Sequence, residues 1–473
     1  MPRRPRLPAR RSSQDADTVY LLSGSGHRGC GDGKASSATF NTPMGICALG
    51  DALGTVAISD VQNNTLRFVA PDKHRDVRVT SLRSSPFLGP RGLGCSADGN
   101  LLYVCDTGHN TIKFGVVPDQ FVEDMDFGVL AGTGRRGHGD GPALTSSFHH
   151  PSSLCVTPDG IFVTDTGNHC IRFIYQAHGK WRVDTVAGGP TTPVGTGSIG
   201  RRSLGATPLT PLPGYVDGPG DVAMFRGPSG ITVGPTGVLL VADTFNHCIR
   251  GIVWADSGWH VYTVAGAPKS GHVDGCCSTA LFNQPVGICI GEDETVFVAD
   301  KGNNCVRQLG GVVAAVGLCR YSWVRTISID EGAPNWTFPK GREPPFLLPK
   351  GLCVLAPQHS WYHCRQRPRR LLVGVCDTGN HLVRVLSIES SAEELAPELK
   401  RNGSTPAEEN QADVTEKEEH VSEIRDLREE NARLKSENET YRHLLELAVA
   451  KMNTLSIQLE AKHQVSDQGG TNK

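Results

Sequence analysis

Cys376-Asp377-Thr378-Gly379-Asn380-His381-Leu382-Val383-Arg384-Val385 is the last of six copies of one ten-residue phrase. The other copies begin at Ser59, Cys105, Thr164, Ala242 and Ala299. Each is preceded by a second phrase, Pro-x-Gly-apolar, opening at Pro43, Pro90, Pro228, Pro285 and Pro349; the third copy, Pro151-Ser152-Ser153-Leu154, carries Ser in place of Gly. A third phrase, Asp-Gly followed by an aromatic, occurs in four copies: Asp32 with Phe40, Asp140 with Phe148, Asp217 with Phe225 and Asp274 with Phe282. Three phrases recurring in fixed order make an internal repeat, and the repeat decides the architecture.

Each unit reads as a small antiparallel meander. Runs such as Gly230-Ile231-Thr232-Val233 and Val238-Leu239-Leu240-Val241 are short, rich in β-formers and bounded by turn residues. The Asp-Thr-Gly-Asn stretch falls between the second and third strands. There Gly and Asn tolerate positive φ, and an Asp carboxylate can accept backbone N–H groups. The repeat aspartates Asp60, Asp106, Asp165, Asp243, Asp300 and Asp377 are read as turn-stabilising. The basic residue that follows (Arg67, Lys113, Arg172, Arg250, Arg307, Arg384) projects from the third strand, where it can pair with the Asp of its own or a neighbouring unit.

Successive repeat aspartates lie 46, 59, 78, 57 and 77 residues apart. A four-stranded blade takes about 40–50 residues and a propeller holds about 4–8 blades. Six units with insertions at 191–214 and 358–370 therefore predict an all-β, six-bladed propeller over residues 18–390. Units three and four end on an outer strand, at Trp181-Arg182-Val183 and His260-Val261-Tyr262, but the sixth ends at Ile388 without one. The unassigned segment from Thr18 to Gly24 is expected to cross over, complete the last blade and remove an exposed edge.

These phrases resemble NHL repeats. Proteins with this repeat include RNA-binding and ubiquitin-ligase-associated scaffolds, and a copper- and zinc-linked amidating lyase has a related propeller. No RING or B-box spacing accompanies the repeats here, so the resemblance to the ligase branch is confined to the propeller.

Outside the repeats the composition changes. Residues 1–17 form a basic tail with Arg3, Arg4, Arg6, Arg10 and Arg11, and residues 391–419 an acidic linker. Residues 420–463 show a heptad pattern, with a last tail at 464–473. Ile424, Asn431, Asn438, Leu445 and Met452 occupy a positions; Leu427, Leu434, Tyr441 and Leu455 occupy d positions. Glu423, Glu430 and Glu437 at g face Arg428, Lys435 and Arg442 at e of a partner, which favours a parallel homodimer; a heterodimer or a helix lying on the propeller are the other readings. Between these ends, residues 12–390 carry 31 charges of each sign, arguing against a dominant nucleic-acid surface. The 15 cysteines include no CxxC pair, and no apolar run is long enough to span a bilayer, so a cytoplasmic location without membrane is expected.

Candidate chemistry is sparse. His169, His247 and His381 share one slot of the repeat and are candidate metal ligands, yet Asn64, Asn110 and Asn304 fill the same slot in the other units. Polar residues at a repeat turn need no metal. The expectation is a non-enzymatic scaffold without cofactor, whose face binds a protein or peptide and whose coiled coil dimerises it. A metal-dependent propeller hydrolase or lyase with an axial site, and an RNA-binding propeller using Arg135-Arg136, Arg201-Arg202 or Lys340 and Arg342, are the alternatives.

Overall fold

A computed structural model of the chain describes residues 17–188, 211–327, 346–355 and 370–389, a few short stretches of one to three residues apart. The coiled-coil positions 424–455 and the linker lie outside the described residues. Six antiparallel sheets form six blades. Blade 1 runs Pro43–Ala48, Val56–Asp60, Thr65–Pro71 and Val77–Ser81 from the inside out, and blade 2 runs Pro90–Cys95, Leu101–Asp106, Thr111–Val116 and Gly128–Ala131. Blade 3 runs Pro151–Thr157, Gly160–Asp165, Cys170–Ala177 and Lys180–Ala187, and blade 4 runs Pro228–Val233, Leu239–Asp243, Cys248–Ala255 and Gly258–Gly266. Blade 5 runs Pro285–Ile290, Val296–Asp300, Cys305–Gly310 and Trp323–Thr326. Blade 6 has Pro349–Leu355, Arg370–Asp377 and Leu382–Glu389, and its outermost strand is Thr18–Ser23. Thr18 pairs with Ser387 and Leu21 with Arg384, so the two ends of the repeat region share one sheet.

The second strand of each blade is buried on both faces, which explains its continuous apolar lettering. Leu239–Asp243 and Val296–Asp300 are buried at every position. A hydrophobic cluster fills each of the six gaps between neighbouring blades. Phe148, Phe225 and Phe282 are fully buried in three of them. Full burial of such a ring stabilises by about 1.5–3 kcal/mol.

The register at the inner edge is the same in every blade. The Pro that opens each inner strand stands opposite the repeat Asp that ends the second strand, from Pro43 opposite Asp60 to Pro349 opposite Asp377. The Pro-x-Gly phrase and the Asp turn therefore lie at one end of the ring, the turn face. Gly in that phrase has a steric cause. A Cβ on Gly45 would meet the Arg91 carbonyl oxygen of the next blade at 1.9 Å, and one on Gly287 would meet that of Lys350 at 1.8 Å. Among the described residues no helix is long and apolar enough to cross a membrane.

Candidate functional site

The turn face is built from the repeat aspartates upward. Asp60, Asp106, Asp165, Asp243, Asp300 and Asp377 are all fully buried. In each, one carboxylate oxygen accepts a backbone N–H from the segment entering its own blade, such as His149 N–H at 2.8 Å for Asp165 and Asn283 N–H at 2.7 Å for Asp300. The other oxygen takes a side chain three residues on, Asn168 Nδ2 at 2.7 Å for Asp165 and Asn303 Nδ2 at 2.7 Å for Asp300. In blade 2 that partner is His109 rather than Asn.

A buried cation completes the arrangement. Arg172 reaches Asp165 at 2.9 Å and Asp140 at 2.6 Å, and donates to the Ser147 and Gly139 carbonyls. Arg67 bridges Asp60 and Asp32 in the same way, and Arg307 bridges Asp300 and Asp274. The basic residue thus pairs with the Asp of its own unit. Its guanidinium also lies over the repeat aromatic, 5.1 Å from the Phe148 centroid for Arg172. Burial pushes the Asp165 carboxyl up to about 6, opposed by Arg172 and by the N–H donors. In blade 2 Lys113 pairs with Asp106, and in blade 6 Arg384 pairs with Asp377. Their aromatics are Phe87 and Phe346, which sequence reading missed because no Asp-Gly precedes them.

The three candidate histidines are not gathered as a metal cluster. No group of three or more His, Cys, Asp or Glu side chains comes together among the described residues in a way that could hold an ion. Instead His169, His247 and His381 close the 3₁₀ turn of blades 3, 4 and 6 in the left-handed region, at φ 56°, 57° and 56°. The left-handed conformation is open to Asn and tolerated by His. Each Nδ1 accepts a backbone N–H from the next blade: Gly227 at 3.0 Å, Gln284 at 3.1 Å and Thr42 at 3.3 Å. A backbone donor on Nδ1 places the ring proton on Nε2. Asn64, Asn110 and Asn304 make the equivalent bond through Oδ1, to Gly89, His150 and Leu348 at 2.7, 2.9 and 2.9 Å. Every acceptor meets the residue just before the inner-strand Pro, and all six of those residues also have positive φ. Burial lowers the pKa of His169 and of His247, consistent with neutral acceptors.

Four turns add a second tie between blades. The hydroxyls of Thr107, Thr166, Thr244 and Thr378 donate to the Pro151, Pro228, Pro285 and Pro43 carbonyls at 2.7, 2.6, 2.6 and 2.6 Å. Val61 and Lys301 hold that place in the other two blades. The thiols of Cys170, Cys248 and Cys305 are buried at the start of the third strands, and burial raises their pKa.

Apolar and basic side chains are among those presented at the turn face. Phe245, Leu88, Leu347 and Leu348 are exposed by 50, 46, 37 and 39%. Arg91 and Lys350, the middle residues of two Pro-x-Gly phrases, are half-buried on the innermost strands.

Known proteins resemble the chain at this level of description. A family model described as NHL repeat matches residues 225–252 and 282–309, which span the aromatic, the Asp turn and the Arg of blades 4 and 5. The Arabidopsis thaliana protein SUPPRESSOR OF QUENCHING 1, chloroplastic, is 24% identical over 303 residues, covering 62% of this chain and 27% of the relative. Human NHL repeat-containing protein 2 is 24% identical over 311 residues, covering 58% of this chain and 40% of that protein. The chain thus matches well under half the length of either relative. A crystal structure of an auxiliary nutrient binding protein from Bacteroides ovatus superposes with a TM-score of 0.50 at 14% identity, covering 79% of this chain and 77% of that one, a likeness of fold. With its six Asp turns, its inner-strand Pro-x-Gly phrases and its closed ring of blades, the chain carries NHL repeats and folds as a six-bladed β-propeller.

Proposed function

We propose that this protein is a non-catalytic interaction scaffold, in the cytoplasm, whose turn face docks a protein partner while residues 420–463 pair two copies as a coiled coil. One observation carries the reading. The polar residues that recur at this face, the six aspartates and three histidines, are engaged in the ring itself. The exposed side chains beside them are Phe245, Leu88, Leu347 and Leu348, the kind of apolar group that anchors a protein partner. The heptad from Ile424 to Leu455, with attractive g–e pairs, supports the dimer.

Size-exclusion chromatography with light scattering on the full chain and on a version ending at Ser390 tests the dimer. A dimer that becomes a folded monomer on truncation supports it; a monomeric full chain removes it. Captured partners are then compared between the wild-type chain and Phe245→Ser, a change at an exposed turn position. Identical capture by both would refute docking at this face.

A further inference from the structure

In a repeat fold the recurring residues serve the fold, so departures from the recurrence mark what a particular chain does beyond folding. The middle residue of the Pro-x-Gly phrase is such a place. Around the ring it is Met44, Arg91, Ser152, Ser229, Val286 and Lys350, all half-buried at the second residue of the innermost strands. Met44 and Val286 show that the packing accepts an apolar side chain there, so neither cation is required by the fold. Lys301 is a third departure. It stands in the blade 5 turn where four other blades carry the Thr that binds the next blade.

These three cations have no anion of their own among the described residues. Lys350 Nζ lies 3.7 Å from Met44 Sδ, and Lys301 Nζ donates to Gln284 Oε1 at 3.1 Å. Every repeat carboxylate is buried beneath this rim and held by the basic residue of its own blade. Burial, together with repulsion from Lys301 and Arg91, pushes the Lys350 ammonium down to about 8, and burial also lowers the Arg91 guanidinium. Uncompensated, half-buried cations that repel one another destabilise the state that holds them. An anion seated between them reverses the sign of each interaction. Oxyanions suit the donors, because a guanidinium offers two parallel N–H bonds and an ammonium adds a point charge.

We propose that Arg91, Lys350 and Lys301 form an oxyanion site at the turn-face mouth of the ring, for a single phosphate or carboxylate group. The site stands apart from the docking of a protein partner and does not depend on it.

The repeat supplies variants that the ring already accommodates: Lys350→Met copies Met44, and Arg91→Ser copies Ser152. Inorganic phosphate and, separately, acetate are titrated calorimetrically into the full chain in chloride buffer. One of the two anions binds saturably to wild type, and the double variant binds it at least tenfold more weakly, while Arg135→Ser in an outer loop is unchanged. Binding of phosphate alone identifies a phosphoryl ligand; binding of acetate alone identifies a carboxylate. Saturable binding of equal strength in the double variant, or none to wild type, overturns the site. A second measurement needs no variant. The rate of Lys350 acetylation in the wild-type chain, followed by mass spectrometry, falls several-fold when the bound anion is present. An unchanged rate counts against the proposal as directly as a failed titration.

Discussion

His381 Nδ1 accepts the Thr42 backbone N–H at 3.3 Å, joining the last blade to the first across 339 residues of sequence. The same bond recurs at the other five seams, made by His at two of them and by Asn at three. The two residue types are interchangeable in geometry but differ in chemistry, since only the imidazole can be protonated out of its acceptor role.

Acid therefore loosens the His seams selectively. Burial lowers the folded pKa of His169 and of His247, so the folded state prefers the neutral ring and the unfolded state takes up protons first. Their contribution is fully present above the unfolded value of about 6.5 and is lost as pH falls below it towards the folded values. Thermal melts at pH 7.5 and pH 5 should show a smaller acid-induced drop for His169→Asn/His247→Asn than for wild type. An equal drop in both chains would place the acid sensitivity elsewhere.

Removing a buried arginine should cost far more than shortening it. Arg172→Met leaves the Asp165 carboxylate buried without its cation, a loss of about 3–5 kcal/mol. Arg172→Lys recreates the single pair that Lys113 makes with Asp106 in blade 2, and a smaller loss of about 1–3 kcal/mol is expected. Urea denaturation of the three chains measures the order, and a lysine variant as weak as the methionine one contradicts it.

Gly287→Ala should damage the ring although it adds one methyl group. The new Cβ would fall 1.8 Å from a backbone oxygen of the next blade, which cannot rotate away. Overpacking of this kind costs about 1–3 kcal/mol or more. Gly179→Ala, at a hairpin where a Cβ meets nothing within 4 Å, carries only the strain of its positive φ of 73°. A melting temperature lowered more by the second change than by the first would be evidence against the seam geometry.

Thiol labelling should follow exposure. Cys276 is exposed and the Ser278 hydroxyl, 3.3 Å from its sulfur, lowers its pKa, whereas its neighbour Cys277 is buried and pushed up to about 12. Timed alkylation with peptide mapping should modify Cys276 and the exposed Cys30 well before Cys277, Cys170 or Cys248. Early modification of Cys277 would mean that the loop packs differently.

The blade count was legible because the phrases that carry it do mechanical work at fixed places. Asp60 and its five counterparts must meet the same donors in every blade, so their lettering is held constant. Phe87 and Phe346 were illegible for the converse reason. In blades 2 and 6 no Asp-Gly precedes the aromatic, so the letters that flag it elsewhere are missing. The histidine slot was visible as a slot, but its purpose was not, because the group it binds belongs to the neighbouring blade. Sequence order alone does not show which carbonyl or amide faces a turn across a seam. Arg91 and Lys350 are inconspicuous in the sequence for a related reason: a lone basic residue after Pro looks like surface until the inner strands are placed side by side.

The pairing of Thr18 with Ser387 has a consequence for how the molecule is made. A chain leaving the ribosome exposes residues 18–23 before any other strand of the propeller, yet the strand they need is among the last to emerge. Until residues 382–389 arrive, that early segment has no sheet to join, and the open side of the first blade has no neighbour to cover it. Synthesis must therefore carry an unfinished ring, and any pause or premature stop before the sixth repeat leaves two unmatched edges on the nascent protein.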